Sequence, residues 1–341
     1  MKKVLAILLS LSMVLSLAAC DGSEEGNPQG SNSNTGDNSG DKTDDNSGDK
    51  TEDNSGDNSG DDATDTTEEE KPPVEAEDIS YTPLIHLDFE NAEGFKGVYE
   101  NTFDSDYKVT GMEKSDYEIK IAEGQGAVGN ALYLDGNYGL EFEMVPVADD
   151  SYTISFWYYA ERLSNFGPIF QIGRDIPSAN PDTPTTWVNF CQTGFDGVTC
   201  PVVWNRNTSI PWLNDENGVF PWVGPGQDVI HGKDEWCMVT IVADGVRYNC
   251  DVDNGERIGL KYYINGELVW EANAENLFYQ GIAPELFSTA DELQGFIGIN
   301  FWDASFKGFI DEFYLYDEPL TDGQVKTLYN MGNPPADPAA P

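Results

Sequence analysis

The sequence predicts an all-β fold, one β-sandwich with a single short C-terminal helix, on three observations. From Leu84 onward, short alternating or apolar runs are broken by Gly, Asn and Asp. Aromatics make up 12% of the chain, with 8 Trp, 16 Tyr and 17 Phe beside 34 Gly, and flat side chains suit the space between packed sheets. At Tyr263-Ile264-Asn265-Gly266-Glu267, an Asn-Gly pair supplies the positive φ angles that a two-residue hairpin turn demands.

Taken in order, the strand runs fall at 84–90, 131–134, 140–144, 152–159, 168–172, 187–190, 236–242, 260–264, 295–299 and 309–316. Only 321–329 has helical spacing, opened by Thr321 as a cap. Between the 168–172 run and Trp236 lie about sixty residues rich in Trp, Pro, Asn and Asp, an insertion where a shorter pair of strands would suffice. Long ordered loops on a rigid sandwich are where recognition resides.

Ahead of the sandwich stand two segments of other character. Met1-Lys2-Lys3 followed by the apolar run 4–17 reads as an export signal, too short for a stable membrane span of ~20 residues. It closes with Leu17-Ala18-Ala19-Cys20, which resembles the lipobox of bacterial lipoproteins. That resemblance implies cleavage before Cys20, lipid on its thiol, and a mature protein held on the outer face of a bacterial membrane by several acyl chains. An ordinary secretory signal that happens to precede a cysteine is the alternative.

Residues 21–80 are Gly, Ser, Asn, Asp, Thr and Glu, with a near-repeat of eight starting at Asp37, Asp45 and Asp53. About 20 acids against about 3 bases cannot offset the entropy of ordering, so this stretch is expected to be a disordered tether. Sixty residues span at most roughly 200 Å extended and average roughly 45 Å as a coil. The expected organisation is thus 1–20 signal and lipidated cysteine, 21–80 tether, 81–333 sandwich and 334–341 disordered tail. Over the whole chain 61 Asp and Glu face 18 Lys and Arg, a formal charge of -43. Nucleic acid is excluded as a partner, because phosphate backbones are bound through Lys and Arg releasing counterions. Acidic polysaccharides are disfavoured for the same reason.

Five landmarks then appear in order. Gly126-Ala-Val-Gly129-Asn-Ala-Leu-Tyr-Leu-Asp135-Gly, Tyr152-Thr-Ile-Ser-Phe-Trp157, Trp236-Cys-Met-Val-Thr-Ile-Val-Ala-Asp244-Gly, Tyr262-Tyr-Ile-Asn-Gly266 and Phe306-Lys-Gly-Phe-Ile-Asp311-Glu-Phe-Tyr-Leu-Tyr resemble successive strands of the laminin G-like, concanavalin A-like lectin/glucanase superfamily. The resemblance spans about residues 84 to 331. It implies a two-sheet antiparallel jelly-roll sandwich, more often a carbohydrate-binding or adhesive module than a catalytic one. Fold alone does not decide between them.

Glucanases of that superfamily carry paired carboxylates on one strand in a Glu-x-Asp-x-Glu pattern, and no Glu-x-Asp occurs here. His-Glu-x-x-His and Gly-x-Ser-x-Gly are also absent, so the expectation is a non-catalytic protein. Carboxylates from separate strands leave a glycoside hydrolase or lyase as one alternative, and a protein-binding scaffold is another. His86 and His231 are read as solvent-facing or turn residues. For a polysaccharide or glycoprotein glycan, the candidates are Trp204 with Asn205, Trp212 with Asp215, Trp222, and Trp302. Indoles face the C–H side of a sugar while the amide and carboxylate bond its hydroxyls. Packing of the insertion against the sandwich is the competing role for each indole. Trp157 and Trp236 are expected in the core.

In related jelly-roll families a carboxylate near the first strand and an Asp of the last share a structural calcium. That resemblance points to Asp88, Glu90 and Asp311, with backbone carbonyls completing the shell, while a loop-capping Asp311 and a solvated Glu90 are the alternative. Four cysteines remain beyond Cys20. Cys191 and Cys200 are symmetric about 194–197, so a hairpin turning there would set them opposite each other. Cys237 and Cys250 then pair by default, although three connectivities, or free thiols, are open.

Overall fold

The computed structural model describes residues 73–105, 109–145, 147, 151–162, 167–174, 186–195, 198–207, 222–223, 232–250, 255–272, 293–301 and 303–341. Its strands are β1 (Ile85–Leu87), β2 (Phe95–Phe103), β3 (Val109–Ser115), β4 (Lys120–Ala122), β5 (Ala131–Asp135), β6 (Tyr138–Glu143), β7 (Ser151–Arg162), β8 (Gly167–Arg174), β9 (Thr186–Phe195), β10 (Val198–Asn207), β11 (Trp222–Val223), β12 (Cys237–Cys250), β13 (Gly255–Ile264), β14 (Glu267–Ala272), β15 (Gln294–Ile297) and β16 (Lys307–Tyr316). One helix, α1 (Asp322–Met331), follows them.

Among the described residues the strands form two antiparallel sheets. Sheet A runs β14-β13-β12-β7-β16-β5-β4, with β1 also on β16, and sheet B runs β11-β10-β9-β8-β15-β6-β2-β3. The two are held face to face by a layer of rings. Phe156 of β7 lies 4.9 Å from Phe190 and 5.6 Å from Phe170, both of sheet B, with ring planes near perpendicular. Phe313 of β16 joins them, 5.5 Å from Phe170 and 5.6 Å from Phe142. Such offset and edge-to-face pairs add to the burial that holds the sheets.

Local chemistry explains the ends of the elements. Asn265 and Gly266 take φ of 50° and 78° between β13 and β14, as the hairpin reading requires. Thr321 caps α1 in a full capping box. Its Oγ1 accepts from the Gln324 N–H at 3.2 Å, and its own N–H donates to Gln324 Oε1 at 3.0 Å.

The outer face of sheet A is closed. Trp157, Tyr263, Tyr314 and Tyr316 pack beneath Val325 and Leu328 of α1, and Trp157 stacks on Tyr329 at 5.5 Å. Trp157 and Trp236 therefore lie on this outer face rather than between the sheets, because alternation places Phe156 and Tyr158 inward.

Both expected domain boundaries move. The Glu77 N–H donates to Gly323 O at 3.0 Å and Thr327 Oγ1 donates to Glu77 O at 2.6 Å, so the chain before residue 80 is already bonded to the helix. At the other end Asn333 N–H donates to Ala127 O, Ala339 N–H to Gln125 Oε1, and Pro338 is buried, so 334–341 is docked rather than loose.

Candidate functional site

The outer face of sheet B has a different composition. Burying Val98, Leu140, Phe142, Phe170, Ile172, Val188 and Phe190 inward turns their neighbours outward. One cross-sheet row follows from the register: Glu141 opposite Phe296, Phe296 opposite Gln171, Gln171 opposite Asn189, Asn189 opposite Trp204, and Trp204 opposite Trp222. Trp187 shares this face two residues from Asn189, with Arg206 as its partner. Sequence reading placed Trp204 and Trp222 in a loop. Instead, strands β9, β10 and β11 extend sheet B, and three insertion tryptophans occupy positions on one face.

Polar and aromatic groups interlock at the other end of the row. Tyr99 donates its hydroxyl to Glu141 Oε2 at 2.6 Å, and Phe296 stands near perpendicular to Tyr99 and Phe301 at 5.5 and 5.9 Å. Burial first, then the Glu141 hydrogen bond, pushes the Tyr99 hydroxyl up to about 12, so it stays a donor at neutral pH. Glu143 follows on the same face two residues along β6, exposed where Glu141 is buried. This Glu-x-Glu pair is legible in the sequence as alternation.

The loop after β15 is clamped over this end of the face. Asn101 Nδ2 donates to Asn300 O at 2.8 Å, and Ser305 Oγ donates to Asn101 Oδ1 at 2.7 Å. Asn300 in turn bridges the loop, its Nδ2 donating to Asp303 Oδ2 at 2.9 Å and its Oδ1 accepting from the Asp303 N–H at 2.8 Å. Trp302, between them in sequence, lies outside the described residues, as do Trp212 and Asp215. Asn205 sits at an inward register position of β10, opposite Val188.

The predicted metal ligands meet only in part. Asp311 has no exposed surface, its Oδ2 accepts from the Val128 N–H at 3.0 Å, and its buried Oδ1 has no partner. Glu90 Oε1 accepts from the Asn130 N–H at 3.1 Å, on the same 126–130 loop. Glycine is required there: a Cβ on Gly126 would lie 2.1 Å from Asn130 O and 2.5 Å from Asp311 Oδ2, and one on Gly129 would lie 2.0 Å from Glu90 Oε1. Non-glycine residues at positive φ flank both carboxylates, Phe89 at 49° and Glu312 at 50°. Asp88 is not part of this arrangement, for it is exposed and accepts from the Glu90 N–H at 3.2 Å in a local turn. Among the described residues no three His, Cys, Asp or Glu side chains converge on one point.

A family model described as the concanavalin A-like lectin/glucanases superfamily, of the laminin G type, matches residues 134–326. The chain belongs to this family. Solved structures that resemble this laminin G-like domain include domain 4 of AbnA, a GH43 extracellular arabinanase from Geobacillus stearothermophilus, in complex with arabinotriose. It is 23% identical, covers 73% of this chain and 98% of that one, and has a TM-score of 0.49. A SAP-like pentraxin from Limulus polyphemus is 13% identical over 71% and 83% of the two chains, TM-score 0.34. The Ruminococcus gnavus IT-sialidase CBM40 bound to α2,3-sialyllactose is 13% identical over 56% and 98%, TM-score 0.37. No curated protein matches the chain.

The cysteines of this laminin G-like domain depart from expectation. The β9–β10 pairing runs to Phe195 opposite Val198, which leaves only Asp196-Gly197 as the connection. Cys191 therefore faces Val202 and Cys200 faces Thr193, a diagonal offset of ~7–8 Å that exceeds the usual Cα separation of a disulfide. Cys237 is a buried thiol, and Cys250 stands at the far end of the same strand β12, on the order of 40 Å away, so these two cannot pair within one chain. His86, on the edge strand β1, stacks on Tyr314 at 4.2 Å and bonds Glu312 through Nε2 at 3.1 Å.

Oxygen donors from Glu90, Asp311 and the Asn130 carbonyl, with one carboxylate oxygen orphaned, fit the chemistry of a hard cation such as calcium. Without one, burial pushes the Asp311 carboxyl up to about 8. Between the unfolded value near 4 and that folded value, only the folded chain holds the proton, so stability falls as pH rises through this window and levels off above it. In chelator, the melting temperature is expected to fall from pH 5 to pH 9, and to fall less in Asp311→Asn. Calcium added at pH 8 should raise it in the natural protein and not in the variant. An identical melt with calcium and with chelator would contradict a cation at this site.

Proposed function

We propose that this protein is a cell-surface lipoprotein that displays a non-catalytic, carbohydrate-binding laminin G-like domain on an acidic tether. The observation that carries the reading is the contrast between the two outer faces. That of sheet A packs aromatic residues beneath the leading segment, α1 and the C-terminal tail, whereas that of sheet B has Trp187, Trp204, Trp222, Asn189, Gln171, Tyr99 and Glu141 at outward register positions in adjoining rows, with Gln171 and Glu141 buried. Aromatic surfaces interleaved with amide and carboxylate groups match the two sides of a sugar ring, apolar C–H and polar hydroxyl. The ligand is a polysaccharide or glycoprotein glycan.

Lipid on Cys20 supplies the anchor, supported by the charged start, short apolar run and small-residue close before it. Incorporation of a fatty-acid probe should be lost in Cys20→Ala, and labelling that persists would remove the anchor from the account. A calcium held by Glu90 and Asp311 has a structural role here, tying the segment after β1 to β16 on the sheet opposite the glycan face.

One observation favours a second reading, a glycoside hydrolase. Glu141 and Glu143 lie two residues apart on the same face of β6, the alternation that a carboxylate pair on one strand needs. New reducing ends released from a polysaccharide by the natural protein and not by Glu143→Gln would decide for it.

The binding reading is tested on a glycan array probed with the full chain. Trp204→Ala and Trp222→Ala should each weaken glycan binding by roughly 1 to 3 kcal/mol and leave a cooperative melt. Variants that melt early while their folded fraction keeps full affinity would assign these indoles to packing alone.

A further inference from the structure

Among the described residues of the sheet B outer face, Gln171 alone is a buried polar side chain with both hydrogen-bonding groups unused. It has no exposed surface, and neither Oε1 nor Nε2 has a partner. A buried amide in this condition is far less stable than the same amide in water, and packing gives no reason for one here. Its sequence neighbours Phe170 and Ile172 are core residues, and Phe296 on the adjoining strand is apolar, so Met or Leu would fill the space at no polar cost. The other interior polar groups of this face are satisfied: Glu141 by Tyr99, and Asn101 by Asn300 and Ser305. The exception stands mid-row, between Phe296 and Asn189.

We propose that Gln171 is the specificity-determining residue of this face, its carboxamide exchanging a donor–acceptor pair with the hydroxyls of a neutral sugar. The inference rests on the carbohydrate-binding reading above and deepens it by naming the ligand class. A sugar hydroxyl both donates and accepts, so adjacent hydroxyls can accept a hydrogen bond from Nε2 and donate one to Oε1. A carboxylate accepts only, and would leave Oε1 unpaired. It would also approach Glu141, which stands in the same row two strands away, about 10 Å across Phe296. Because Gln171 has no exposed surface, a sugar reaches it only when the groups that cover it part, and hydroxyls that then meet it shed their water. A mismatched ligand then cannot be repaired by solvent, and buried polar groups left unpaired are what discriminate between close analogues.

The test uses the full chain and two variants, Gln171→Met and Gln171→Leu, on an array of neutral and sialylated oligosaccharides, with a thermal melt of each protein. The natural protein is expected to bind neutral members and not sialylated ones. Both variants should lose ~10-fold or more in affinity, the effect of one or two buried hydrogen bonds. Their melting temperatures should stay level or rise, since an amide with no partner has been replaced by an apolar chain of similar size. Variants that bind neutral glycans as tightly as the natural protein, or that melt lower while their folded fraction binds unchanged, would overturn the inference and leave the binding reading intact. Preference of the natural protein for sialylated members would also overturn it alone. A natural protein that binds no glycan on the array would overturn both.

Discussion

The ring layer around Phe156 fixes the register of sheet B, and the outer face depends on that register. Side chains alternate along a strand, so sending Phe170, Phe190 and Phe142 towards Phe156 and Phe313 leaves Gln171, Asn189 and Glu141 no choice but the other face. A slip of one residue in β8 would turn the amide between the sheets and the phenyl ring to the outer face. The cost of exposing several large rings makes that slip prohibitive, and the same energy therefore positions polar residues that add little stability of their own. Packing on one side of the sheet thus sets the chemistry on the other.

The two outer faces were closed by different means. Sheet A carries aromatic residues outward as well as inward, and these need cover, which α1, residues 75–79 and the C-terminal tail supply. Sheet B carries amides and carboxylates outward among Phe296, Tyr99 and the tryptophan positions, and its described cover is the loop clamped by Asn101, Asn300, Asp303 and Ser305. The leading segment therefore joins the domain on the sheet A side, leaving the sheet B face clear of it.

What could be read from the sequence was what local chemistry determines. Alternating runs marked ten of the described strands but not β2, β3, β4, β10 or β11, Asn265-Gly266 marked a hairpin, and Thr321 with Gln324 marked the start of α1, because each of these signals is complete within a few residues. The face itself was hidden, since Glu141, Phe296, Gln171 and Trp204 are separated by up to 155 positions and meet only through strand pairing. The cysteines illustrate how narrow the margin is. A turn centred on Asp196-Gly197, one position beyond the centre of 194–197, moved Cys191 and Cys200 from opposition to a diagonal. Glu90 and Asp311, named through the resemblance, both accept from the 126–130 loop, whereas Asp88 makes a local turn with Glu90, a bond that a family pattern does not record.

The central claim is that ligand is taken on sheet B and not on sheet A. Hydrogen–deuterium exchange on the full chain, with and without the neutral oligosaccharide that binds best on the array, tests it directly. Slowed exchange in β6, β8, β10 and β15, with α1, β13 and β14 unchanged, is the predicted result. Protection confined to α1, the leading segment and the outer strands of sheet A would contradict it.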